Sequence, residues 1–191
     1  VERELLTHIF ARLEENHGGV LREYTEEKLP SMLDVPIWEF QDALAKLKSS
    51  FGRDDLFDDL DPEGERQLCA LAEKETGVAA VFVIGYPLAS RPFYTAERAN
   101  GTAQSFDLLF RGVEITTGGQ RRHLRSELEA SLRHRSLDPA SFESHLKMFD
   151  LGMPPHGGLA IGLERLTAQI LGLKNIREAV LYPRDRYRVT P

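Results

Sequence analysis

Cysteine is nearly absent: the 191 residues hold one, Cys69. A single thiol makes no disulfide framework and no cysteine-based zinc site, and its place on an apolar helical stripe marks it as core. A reducing compartment, the cytoplasm, is therefore expected. Apolar runs of membrane-spanning length are missing too, as are a secretory leader pattern and any internal repeat, so no membrane partner is expected. The six histidines are scattered, with no pair at metal-ligand spacing on one face, which argues against zinc. Positive charge is also in short supply. A net charge of −6 speaks against nonspecific nucleic-acid binding over a basic surface, while leaving room for a polynucleotide gripped by a local patch or another domain. What remains, 41% hydrophobic and 28% charged, suits one soluble domain with a proper core. Val1 already lies inside a helical pattern, so the chain is expected to begin within something longer.

The apolar residues then set the elements. Leu5, Leu6, Ile9, Phe10 and Leu13 stripe a first helix, which should stop at Gly18-Gly19. Lys28–Trp38 reads as a turn-rich connection, with Pro36 opening a helix that carries Trp38, Ala43, Leu44 and Leu47. The acidic run Asp54, Asp55, Asp58, Asp59, Asp61 lacks the glycine and spacing of a calcium loop and reads as a solvated loop leading into a helix. That helix, Pro62–Thr76, turns Leu68, Leu71 and Ala72 inward and ends near Gly77. Ala79–Ile84 is a buried strand ended by Tyr86-Pro87, and Arg91–Thr95 is a brief return strand. Downstream, Leu124, Leu128 and Leu132 line one helix. Asp138 caps another, with Pro139 in its first turn and Phe142, Leu146 and Phe149 inward.

Two stretches carry chemistry. The first, Ser105–His123 (SFDLLFRGVEITTGGQRRH), has two apolar-alternating runs around Arg111-Gly112, the pattern of a β-hairpin with a two-residue turn. That turn pairs Phe110 with Val113, Leu109 with Glu114 and Leu108 with Ile115. One face is then Phe106, Leu108, Phe110, Val113 and Ile115; the other is Ser105, Asp107, Leu109, Glu114 and Thr116. Asp107 and Glu114 come onto one face, close enough to share a cation. Gly118-Gly119 lets the backbone approach a ligand, and Arg121 is expected on Glu114's side. Two carboxylates beside a guanidinium suit a magnesium-bound phosphate and a second anionic group. An ordinary hairpin with a solvated face fits this stretch as well.

The second stretch is Gly152–Leu173 (GMPPHGGLAIGLERLTAQILGL). Gly158, Ala160 and Gly162 alternate with Leu159, Ile161 and Leu163, so a strand here has one greasy face and one face with almost no side chains. A planar ring can lie on such a floor. Glu164-Arg165 opens a helix bearing Leu166, Ile170 and Leu171, and the arginine can reach back over the floor. It is no dinucleotide fingerprint, since Ala160 and Leu163 stand where glycines are needed. A tightly packed strand–helix corner is the plainer reading.

Together these residues resemble a known family. GLAIGLERL (Gly158–Leu166) resembles motif 3 of the class II aminoacyl-tRNA synthetases, with Ala160 in place of a usual glycine. PPHGG, the hairpin sequence and the ending LYPRDRYRVTP look like the aspartyl-tRNA synthetases, of the archaeal type also found in some bacteria. Pro191 resembles that family's C-terminus. The resemblance implies an α+β fold, an antiparallel sheet flanked by helices. It further implies a homodimer that activates aspartate with ATP and magnesium and passes it to tRNA. Glu114 matches the acid that binds ATP and the metal, and Asp107 its weaker companion. Thr117 stands where a serine usually contacts metal and substrate. Arg121 matches the arginine that holds the substrate carboxylate, and Gly162, Leu163, Glu164 and Arg165 match the ATP segment, with Arg165 stacked on adenine. Glu114 and Arg165 are thus the implied catalytic pair.

Residues 1–191 would form the C-terminal part of that catalytic domain, with the hairpin at 105–117 and motif 3 at 158–171. Motif 2 with its phosphate-binding arginine, the anticodon-binding barrel and the lysine-bearing lid are not found, so the chain alone is expected to be inactive. Asparaginyl-tRNA synthetase, or an asparagine-forming paralogue, is an alternative on the same fold, and a non-catalytic paralogue is a third. Whether asparagine tRNA is also charged stays open.

Overall fold

The computed structural model describes residues 1–190; the C-terminal reading of Pro191 lies outside them. Its sheet has five strands in the order β1-β2-β3-β4-β5: Ile37–Glu39, Ala80–Ile84, Ser105–Phe110, Val113–Arg121 and His156–Ile161. All neighbours are antiparallel except β1 and β2. Helices cover both faces, which is why β2 is apolar along its whole length. On one face α1 (Glu2–Tyr24) and α6 (Leu163–Leu171) pack Leu6, Phe10, Leu166 and Ile170 against Phe82, Leu108 and Phe110. On the other, α2 (Phe40–Phe51) and α3 (Pro62–Thr76) pack Ala43, Leu47, Leu68 and Ala72 against Val81, Val83 and Leu109. Cys69 belongs to that second core. The α3 ends follow the residues: Asp61 accepts the Gly64 N–H at 2.7 Å, Pro62 opens the first turn, and Gly77 closes it at φ +77°.

Several expectations are corrected. α1 runs through Gly18-Gly19 instead of stopping there. Burying Leu21 outweighs the roughly 1 kcal/mol that each glycine costs in a helix. Pro36 opens no helix: Ile37–Glu39 pairs in parallel with β2 and α2 starts at Phe40. Arg91–Thr95 forms no strand; its one backbone ladder contact with the sheet among the described residues is the isolated Thr95–Arg121 bridge. After α4 (Arg125–His134), the Asp138-capped helix breaks into 3-10 turns around a short α5 (Glu143–Leu146).

The hairpin holds the correction that matters most. Arg111 and Gly112 have φ of +49° and +85°, the two left-handed residues of a tight hairpin turn, and Phe110–Val113 and Leu109–Glu114 pair as expected. The register then shifts: Leu108 pairs with Thr116, not Ile115, and Asp107 with Thr117. β4 carries a bulge of one extra residue. Ile115 and Thr116 both turn into the α1 side, where each is about 1% exposed. Beyond the bulge the alternation is inverted, so Thr117, Gly119 and Arg121 share the face of Asp107 and Glu114. Without it, the odd spacings from Glu114 to Thr117 and Arg121 would put them on the opposite face.

The floor beside the bulge admits no bulk. A Cβ on Gly119 would lie 2.7 Å from the Gln104 carbonyl oxygen and 2.9 Å from the Ser105 Cα, both main-chain atoms. Gly119→Ala should therefore destabilise by about 1–3 kcal/mol through overpacking. That lowers Tm by several degrees, since about 1 kcal/mol shifts a chain of this size by roughly 2–4 °C. Thermal unfolding by circular dichroism checks it; a Tm within a degree of the parent's would mean the β3 entry shifts freely.

Candidate active site

Directly paired strand residues share a face, so the registers Thr117↔Ala160 and Gly119↔Gly158 assemble a floor with one hydroxyl and one methyl on it. The bare floor expected from Gly158, Ala160 and Gly162 is present, on the same face as the hairpin's polar residues. Gly162 ends it, donating its N–H to the Ile115 carbonyl at 2.8 Å and capping α6. A cavity of about 180 Å³ opens on the β4–β5 floor, lined among others by Arg91, Tyr94, Thr117, Arg121 and Gly158.

At one end of the floor stands Arg121. Its guanidinium lies 5.4 Å from the Tyr94 ring centroid, and a Cβ on Gly158 would sit only 3.2 Å from its Nη2. Among the described residues it forms no ion pair. A planar cation over a ring at a cavity wall, with no carboxylate of its own, has the chemistry to receive a small anion.

At the other end, Arg165 leaves the first turn of α6 and donates from Nη1 to the Glu114 carbonyl at 2.8 Å, with Nη1 3.6 Å from Glu114 Oε1. Leu163 and Glu164 open the helix beside it and are solvent-exposed. Glu114 is partly buried, and burial pushes its carboxyl above the ordinary glutamate range. Asp107 and Glu65 push the same way, against Arg165 and Arg91. The N–H of Glu114 is held by Glu65 of α3 at 3.0 Å.

Asp107 is differently placed. Both its oxygens are bound by Arg91, at 3.2 and 2.7 Å, and the Arg91 guanidinium lies 3.6 Å from the Tyr86 ring centroid. Both members of that pair are at least nine-tenths buried. Glu114 is then the carboxylate left open to a ligand, with the Thr117 hydroxyl farther along the same face. Among the described residues no three His, Cys, Asp or Glu side chains converge on a metal cage. One or two carboxylates fit a hard divalent cation that arrives on phosphate oxygens and keeps water as its other ligands.

Residue reading missed three members of this site. Arg91 and Tyr94 lie in the run taken for a strand, where an arginine just before Pro92 and a tyrosine two residues after it were the available signal. Glu65 gave none, being one of several glutamates on α3.

Over residues 1–186 the chain matches the family described as tRNA synthetases class II (D, K and N). It is 49% identical over 158 residues to the aspartate–tRNA(Asp/Asn) ligase of Thermus thermophilus, covering 83% of this chain and 37% of that protein. Among solved structures, the aspartyl tRNA synthetase of Entamoeba histolytica superposes with a TM-score of 0.92 at 31% identity, over 100% of this chain and 40% of that one. The asparaginyl-tRNA synthetase of Pyrococcus horikoshii complexed with asparaginyl-adenylate gives 0.88 at 28% identity, over 100% of this chain and 44% of that one. The chain thus spans less than half the length of the relatives it matches.

Proposed function

The chain belongs to the class II tRNA synthetases of the D, K and N group, and from that premise we propose that it is part of an aspartate–tRNA ligase. The complete enzyme would activate aspartate with ATP to aspartyl-adenylate and transfer it to tRNA. This chain would supply the C-terminal part of the catalytic domain, the phosphate-binding arginine and the tRNA-binding barrel coming from the rest of the protein.

The order of side chains along β4 carries the reading. Glu114, Thr117 and Arg121 follow one another on one face, over on the order of 20 Å of strand. That is room for a nucleotide and an amino acid end to end. Adenine would lie on the floor near Gly162 under Arg165, the phosphates beside Glu114 and Thr117, and the side-chain carboxylate of aspartate on Arg121. Glu114 and Thr117 would hold magnesium, with Asp107 behind them locked to Arg91; the bound ion would neutralise and orient the phosphates. The protein's own part is positional: it brings the aspartate α-carboxylate and the α-phosphorus into line and excludes other orientations.

Aspartate-dependent ATP–pyrophosphate exchange by the complete enzyme tests this reading, with asparagine and lysine as competing substrates. Exchange with asparagine and none with aspartate would move the chain to the asparaginyl reading, which the Pyrococcus horikoshii neighbour keeps in play.

Arg165 should act on the nucleotide alone. A guanidinium stacked on a ring contributes about 1–2 kcal/mol, so Arg165→Ala should raise the ATP constant roughly 5- to 30-fold. The aspartate constant should stay near its parent value. Steady-state exchange kinetics with each substrate varied in turn would show this, and equal movement of both constants would rule out the stacking role.

A further inference from the structure

Downstream of α6 the chain gathers positive charge against its acidic average. Residues 174–190 hold Lys174, Arg177, Arg184, Arg186 and Arg188 against Glu178 and Asp185, in a chain whose net charge is −6. The segment is pinned from within. Arg177 pairs with Asp185 at 2.8 Å, and the Asp185 carboxylate accepts the N–H groups of Tyr187 and Arg188 at 2.6 and 2.8 Å. The Asp185 N–H in turn donates to the Arg188 carbonyl at 2.8 Å. One acid thereby closes the turn and takes up one arginine. Arg184, Arg186 and Arg188 are exposed and form no ion pair among the described residues.

Aromatic rings alternate with these cations. Tyr182 is 66% exposed and Tyr187 81% exposed, and the Arg186 guanidinium lies 4.6 Å from the Tyr187 ring centroid. Unpaired bases offer flat faces to stack on such rings, and the phosphates between them offer charge to the arginines. A carboxylate-rich peptide would answer the arginines and leave both rings in water. The place of the loop also counts. Pro183 and Arg184 share a cleft of about 330 Å³ with Gly162, Arg165 and Arg177, so the loop borders the floor at its Arg165 end.

We propose that the 181–190 loop is a landing surface for the single-stranded end of an RNA, leading that end toward the floor. The identity of the RNA as the tRNA acceptor end rests on the functional reading above; the binding chemistry does not. The test is fluorescence anisotropy of a labelled, unpaired 12-nucleotide RNA titrated with the 191-residue chain at several salt concentrations. Binding should weaken with salt, and the double change Arg186→Gln, Arg188→Gln should flatten the log–log slope by about 1.4, or about 0.7 per lost contact. Tyr187→Ala should weaken binding roughly 5- to 100-fold, while Tyr187→Phe, which keeps the ring, should bind like the parent. No measurable RNA binding, or equal binding by the alanine and phenylalanine variants, would overturn the proposal. So would an acidic peptide that displaces the RNA and binds the alanine variant as tightly as the parent, which would make the partner a protein. In the complete enzyme the arginine changes should slow transfer to tRNA and leave aspartate-dependent exchange unchanged. Intact RNA binding without aspartate-dependent exchange would sink the activity reading and leave this one standing.

Discussion

Arg121→Lys is expected to raise the aspartate constant by at least about tenfold and leave the ATP constant nearly unmoved, narrowing the preference for aspartate over asparagine. A guanidinium can give a carboxylate two parallel charge-assisted hydrogen bonds, each contributing about 1.5–3 kcal/mol. Lysine keeps the charge but has no planar fork, and a compact ammonium stacks poorly on the Tyr94 ring that now backs the arginine. One bond of the pair is therefore lost even where the charge survives. Asparagine presents one acceptor oxygen and no net charge, so it loses less from the same change. Exchange kinetics with both amino acids, on parent and variant, give the result directly. An unchanged aspartate-to-asparagine ratio with a normal aspartate constant would mean that Arg121 merely braces the strand end.

Glu114→Gln should lower the exchange rate by on the order of a hundredfold or more, as expected for removing one charge that faces a developing or bound charge in a preorganised site. Its stability effect should run the other way. Burial, with Asp107 and Glu65 nearby, raises the Glu114 carboxyl above its ordinary value, so the folded chain binds that proton more readily than the unfolded one. Between the unfolded and the raised folded pKa the native state carries more protons, and stability falls as pH rises through that window. Glutamine removes the ionised form that burial penalises, so the variant's Tm at neutral pH should equal or exceed the parent's, with a flatter dependence on pH. A clear drop in Tm, or little loss of exchange at saturating ATP and magnesium, would make Glu114 a structural residue.

Much of this was legible from local chemistry. The Arg111-Gly112 turn, the Pro62–Thr76 helix with its end at Gly77 and the bare face of Gly158-Ala160 each depend on a few adjacent residues, and each was readable from them. The failures share another origin. α1 crosses Gly18-Gly19 because Leu21 finds a core built largely from distant strands, and Ile37–Glu39 is a strand because Phe82 to Ile84 lie beside it. Arg91 and Asp107 lie sixteen residues apart in sequence, and nothing local says that they pair. The bulge is the subtlest case: alternation through Val113–Thr117 reads equally well with or without it. Only the joint burial of Ile115 and Thr116 against the α1 side settles the matter.

That bulge makes the residue count between Glu114 and Arg121 a parity condition. Substitutions along β4 alter one contact each, but inserting a single residue after Thr117, with the bulge kept, would swap every side chain after it to the other side of the sheet. Arg121 would then enter the layer lined by Leu108 and Phe82, and the floor opposite Gly158 would lose its cation. Deleting the extra residue, Ile115, has the opposite outcome: the bulge goes with it, and Thr117, Gly119 and Arg121 stay on the face of Glu114. For this stretch, length is constrained more tightly than identity: a change in count leaves the two faces where they are only when it is even or when it takes the bulge with it.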